Sequence, residues 1–157
     1  MTATLTEAIA GRTLIEPAFF ARLSRRVASA YDLAPELAAA IADQTLAFLA
    51  TAAQKPAGTG PLSPSLTVDR GVHCFLEYTA QYDRFFRVHG WPKVHHHPRD
   101  DPSKEYEDAG VVIPRTVAAM REAGYTVLAD LWMTPRVDCS DDSDGLPGDP
   151  VPCGDHP

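Results

Sequence analysis

The chain has few cysteines, no long apolar run and no excess of basic charge, and each shortage removes a class of protein. Cys74, Cys139 and Cys153 are odd in number and irregularly spaced, so no disulfide framework is expected. No stretch approaches the roughly 18 consecutive apolar residues of a membrane span, and the opening MTATLTEAIAGRTL lacks the charged start and apolar block of a secretory signal. The expectation is a cytoplasmic protein with no membrane partner. Six of the 21 acidic residues fall within residues 138–157, which carry no Lys or Arg, and the rest holds 15 acids against 14 bases. A nearly neutral body offers no basic patch to displace counterions, so nucleic acid is not an expected partner. HExxH, paired CxxC, GxSxG and a Gly-rich phosphate loop are all absent from the sequence.

What is present is helical. With 45% hydrophobic residues in 157, the chain has enough apolar surface for one core, and residues 1–137 read as a single helical domain. Residues 138–157, an Asp, Pro and Gly-rich tail, bury too little apolar surface to offset ordering entropy and are expected to be disordered. The fold class is all-α: a compact bundle of four to five helices with a long loop after the central helix. Glu7–Ala10 suggests a short helix. Pro17 opens the first firm helix, with Phe19, Phe20, Leu23 and Val27 on one face, ending near Ala30–Tyr31. Pro35 opens the second, running to about Ala53 with Leu37, Ile41, Phe48 and Leu49 as its stripe. A Pro and Gly-rich linker follows to Pro64.

The third helix is read as one central element capped by Thr67 or Ser65 and ended by Gly90 and Pro92. Val68, Val72, Phe75, Leu76, Thr79, Tyr82 and Phe86 form its buried face. Residues 91–113 read as a long polar loop with a helical turn near Ser103–Asp108. Pro114 opens a fourth helix that Gly124 caps. Tyr125–Leu128 reads as extended and Asp130–Trp132 as a short turn.

Five of the six histidines lie between Ser63 and Pro98: His73, His89, His95, His96 and His97. At 100° per residue Asp69, His73, Glu77, Ala80 and Arg84 share one stripe at the edge of the apolar face of the third helix. The loop after Gly90 returns with three consecutive histidines. In extended chain, His95 and His97 face one way and His96 the other, so at most two of the three serve one ion. Neutral imidazole suits zinc, iron, copper and nickel, and Asp69, Glu77, Asp100 or Asp101 supplies a carboxylate oxygen. The bland alternatives are a hydrogen-bonded rim residue for His73, a solvated turn for the triplet, a helix-end cation for His89, a small buried side chain for Cys74 and core aromatics for Tyr78 and Tyr82.

Along Val68–Pro98 the sequence resembles small actinobacterial proteins related to the helical domain of plant glycine-rich-domain-containing proteins. Their pattern runs close to VDxxWHxFxxxTxxYxxFC, then a Gly, then HHxP. Val68, Asp69, His73, Phe75, Thr79, Tyr82 and Phe85 match its first part, and His95, His96 and Pro98 its second. Val72 replaces the tryptophan and Phe86 the cysteine. The cysteine-rich C-terminus of those relatives is reduced here to Cys139 and Cys153. The resemblance implies an all-helical fold and points to Asp69, His73, His95 and His96.

The function expected from these residues is a small metal-binding helical protein, a metal-dependent tailoring enzyme of a bacterial specialised-metabolite pathway acting on a small molecule. Its cofactor is a divalent transition metal (iron, zinc or copper) on His73, His95, His96 and His97. Asp69 is either a ligand or the group that orients His73 through its second nitrogen. Tyr82 and Arg84 line the pocket, with Arg84 set for an acidic substrate. Two alternatives stand beside it. One is a non-catalytic interaction module whose histidines pin the loop to the helix. The other is a metal carrier or sensor closed over by Cys139, Cys153, His156 and the tail aspartates.

Overall fold

A computed structural model describes residues 7–133, and among them every regular element is helical. The five α-helices are α1 (Pro17–Tyr31), α2 (Pro35–Gln54), α3 (Leu66–Leu76), α4 (Thr79–His89) and α5 (Ala109–Glu122). Short 3₁₀ turns at Gly11–Leu14 and Ala129–Trp132 flank them, so the early turn lies just after Glu7–Ala10. One isolated parallel bridge joins Ile9 to Tyr125. The acidic tail, with Cys139, Cys153 and His156, lies outside the described residues.

Proline sets two helix starts as the sequence implies: Pro17 and Pro35 occupy first turns, where a missing amide costs nothing. The most enclosed helix is α2 rather than the one carrying His73. Apart from Asp43, residues 41–53 of α2 carry no charged side chain, and the helix is buried on every side from Ile41 to Thr51, as a helix without a polar face must be. Leu37 alone of its expected stripe stays largely exposed.

Two close approaches seat the neighbours of α2. Gly71 of α3 faces Thr45, where an added Cβ would lie 2.0 Å from Oγ1, and Gly11 packs onto the backbone of Asp43. The buried amide of Gln44 closes the bundle's ends. Its Oε1 accepts from Leu128 N at 3.0 Å and Trp132 Nε1 at 2.8 Å, and its Nε2 donates to Thr126 O at 2.9 Å.

Two helix boundaries differ from the sequence expectation, and Thr79, expected in the buried face, is exposed at the first turn of α4. The long third helix is two helices, broken at Glu77–Tyr78, where Tyr78 takes φ −92°, ψ 63°. Contacts from α1 hold the break. Arg26 grips the Glu77 carboxylate with two hydrogen bonds at 2.6 and 3.0 Å, and Phe19 packs edge-on to Tyr78. The last long helix starts at Ala109, not Pro114. Asp108 caps it, its Oδ1 accepting from Gly110 N at 2.7 Å. Pro114 then sits inside, forgoing one backbone hydrogen bond. Among the described residues no single helix is long and apolar enough to cross a membrane.

Candidate metal centre

The site is built from the first two turns of α3 and one residue of the loop after α4. Ser65 caps α3, accepting from Val68 N at 3.1 Å while its hydroxyl donates to Leu131 O at 2.5 Å. That anchored start fixes Asp69, and His73 follows one turn on, on the same face. His73 Nε2 lies 3.4 Å from Asp69 Oδ2.

The loop is brought back by one turn and three contacts. Gly90 in the left-handed conformation (φ 68°) turns the chain out of α4. Trp91 then stacks on His89 with ring centroids 4.3 Å apart. Lys93 pairs with Asp83 of α4, and the buried hydroxyl of Tyr82 donates to Val94 O at 2.7 Å. Two residues beyond Val94, His96 points inward, and its Nε2 stands 3.0 Å from His73 Nε2. The rings meet edge to face at 4.7 Å.

Each of Asp69, His73 and His96 offers one ligand atom to the group, and no two of these atoms are more than 4.8 Å apart. Zinc–nitrogen bonds near 2.0–2.1 Å put neighbouring ligands of a tetrahedral ion about 3.3 Å apart, so the 3.0 and 3.4 Å separations at His73 Nε2 suit a shared cation. Asp69 Oδ1 is enclosed yet has no hydrogen-bond partner among the described residues. A buried carboxylate oxygen without a donor is costly, and a cation held by this carboxylate would offset that cost. The His73 side chain is half exposed and those of Asp69 and His96 about one quarter. The group therefore opens to solvent, and three protein ligands leave coordination positions free. Asp69 approaches the same His73 nitrogen that faces His96, a position that fits a ligand and not an orienting partner of the second His73 nitrogen.

No family model matches this chain, and no curated protein or solved structure matches it either.

The other sequence candidates lie elsewhere. His95 and His97 are exposed, their rings 6.4 Å apart, and are not members of the group. Burial pushes the Tyr82 hydroxyl up to about 12. Committed to Val94, it is an anchor for the loop rather than a proton donor at neutral pH. Arg84 is separated from Asp69 and His73 by the helix break, and reaches Glu16 at 3.8 Å across a cleft that none of the three candidate ligands lines. Glu77 is held by Arg26, whose hydrogen bonds lower its pKa. Asp101 is occupied by Ser103, which donates through both N and Oγ. His89 Nε2 is bonded to Leu14 O at 2.9 Å, and Cys74 is buried. Sequence reading missed the tether through Tyr82 and Val94. The one available signal was the Gly90–Trp91–Pro92 exit from a helix whose buried face includes a tyrosine.

Proposed function

We propose that this chain is a small metal-binding helical protein in which Asp69, His73 and His96 hold one divalent transition-metal ion. We propose further that the bound ion makes it a metal-dependent enzyme acting on a small molecule. The observation that carries this reading is the meeting of two imidazole nitrogens at 3.0 Å, with Asp69 Oδ2 3.4 Å from that of His73 and the other oxygen of the same carboxylate buried without a hydrogen-bond partner among the described residues. Two histidines and one carboxylate with open positions form the arrangement used by non-haem iron enzymes and, in related form, by catalytic zinc. The ion would supply Lewis acidity or, if redox-active, oxygen chemistry. This chain's own residues fix the ligands from α3 and the tethered loop, and the half-exposed His73 leaves room for a substrate to approach. The resemblance along Val68–Pro98 to small actinobacterial helical proteins points to Asp69, His73 and His96, and to His95 besides, which the group does not include. A cytoplasmic tailoring enzyme of a bacterial specialised-metabolite pathway is the finer form of the proposal.

One observation favours a second reading, a non-catalytic interaction module. The Nε2–Nε2 contact is itself a hydrogen bond when one ring donates and the other accepts, and it would pin the loop to α3 without any ion. Elemental analysis of untagged protein separates the two. The metal reading expects near one equivalent of iron, zinc or copper in the wild type, lost in Asp69→Ala and His73→Ala with the fold retained. The module reading expects no metal even after reconstitution, and a lowered melting temperature in His73→Ala.

A further inference from the structure

A second candidate site lies away from the histidines, where the segment before α1 passes over α4. A cleft of about 660 Å³ opens there, within the size range of pockets that take small organic ligands. Leu14, Ile15, Phe19, Phe85 and Val88 give it apolar walls. Val88 is 59% exposed, so apolar surface is left uncovered in the cleft.

Of the three charged side chains on the cleft, two are cationic and one, Glu16, is anionic. Arg22 from α1 and Arg84 from α4 both line it. The Arg22 guanidinium rests over the rings of Tyr78 and Phe19, at 5.5 and 5.9 Å from their centroids. This contact holds the group in place while leaving its N–H edges free. Among the described residues Arg22 forms no ion pair. Arg84 has one long contact to Glu16, at 3.8 Å, and that carboxylate is 81% exposed. Two guanidiniums against one carboxylate leave a local positive excess on a chain whose net charge is −7. The Glu16–Arg84 contact is too long for a hydrogen bond and is readily exchanged for a better acceptor. His89, bonded to Leu14 O at 2.9 Å, ties α4 to the segment before α1 and keeps the cleft's walls together.

We propose that this cleft binds a small organic acid: a monocarboxylate with an apolar body, its carboxylate taken by Arg22 and Arg84 and its body laid on Phe19, Phe85 and Val88. The guanidinium fork matches a carboxylate in two-point geometry, and the apolar walls exclude a bare inorganic anion as the best ligand. Glu16 acts as an internal competitor for Arg84.

The test uses 4-phenylbutyrate, its primary amide and inorganic phosphate, each titrated into the full chain and followed by amide chemical shifts in NMR. Saturable binding of 4-phenylbutyrate is expected, with shifts concentrated at residues 14–22 and 81–89. The amide should bind about tenfold more weakly, since it lacks the charge-assisted hydrogen bonds, and phosphate should not saturate. Arg22→Gln and Arg84→Gln should each weaken the acid several-fold. Glu16→Gln should tighten it, a gain that unfolding cannot produce. The proposal is overturned by equal binding of acid and amide, by weaker binding in Glu16→Gln, or by absence of saturation with 4-phenylbutyrate at about 10 mM, beyond which affinity is weaker than roughly −3 kcal/mol.

Discussion

Tyr82→Phe removes a single oxygen atom and tests how the loop bearing His96 is held. The ring lies in the core, edge-on to Phe75 and Phe86 with centroids 5.1 Å away in each case, and phenylalanine keeps those contacts. What is lost is the 2.7 Å hydrogen bond to Val94 O. A neutral hydrogen bond contributes about 0.5–1.5 kcal/mol net, so a loss of about 1 kcal/mol is expected in urea denaturation without metal. If that bond also pre-positions His96, metal affinity falls by up to the same free energy, about fivefold. Removing a ligand should cost at least about a hundredfold, more than an outer partner typically does, so the two effects are separable in one zinc titration with a competing chelator. The same residue gives a pH signature. Burial raises its pKa to about 12, so the folded chain keeps a proton that the unfolded chain releases near 10. The unfolded state then binds fewer protons, and stability falls as pH rises from about 10 to 12. Tyr82 contributes a slope of up to about 1.4 kcal/mol per pH unit. Tyr82→Phe should flatten that alkaline decline relative to wild type. A stability loss with unchanged metal affinity would refute the tether; an unchanged alkaline slope would refute the burial of the hydroxyl.

Three further perturbations probe the frame and the ligands. Gly71→Ala should cost about 1–3 kcal/mol in thermal or chemical unfolding, because the new methyl meets Thr45 Oγ1, and Thr45→Ala in the same chain should recover part of the loss. Gln44→Leu should be destabilising by about 2–4 kcal/mol, since Leu128 N and Trp132 Nε1 lose their acceptor, and should change the tryptophan fluorescence of the folded state. Metal removal by a chelator should lower the melting temperature of wild type and leave that of His73→Ala unmoved, because only a protein that binds the ion gains stability from it.

How much of the molecule was legible in the sequence depended on how local each determinant is. Pro17 and Pro35 act within their own first turns, and both helix starts read directly. Asp69 and His73 lie one turn apart on one helix, so their shared face needs only the helical period. Alternation along extended chain separates His96 from His95 and His97, but which set turns inward is decided by Tyr82 gripping Val94, a contact between elements. The break at Glu77–Tyr78 carries no glycine or proline. It is imposed by Arg26 and Phe19 from α1, some fifty residues earlier in the chain, and no local pattern encodes it. Carrying the helical stripe across that break put Arg84 with His73, whereas the fold sets it against Glu16. At Pro114 two local rules competed, and the Asp108 cap prevailed over the preference of proline for a first turn. The enclosed position of α2 was written in its composition, a helix with Asp43 as its lone charge between residues 41 and 53, rather than in the one-sided stripe that periodicity picks out.

If Asp69, His73 and His96 hold one metal ion as proposed, their exposed neighbours His95 and His97 take no part in binding it. Zinc titration of His95→Ala, His96→Ala and His97→Ala, read side by side with wild type by chelator competition, tests it most directly. Loss of binding in His96→Ala alone, by about a hundredfold or more, with near wild-type affinity in the other two, is the predicted result. Equal losses in all three, or binding that survives in His96→Ala, would contradict the site.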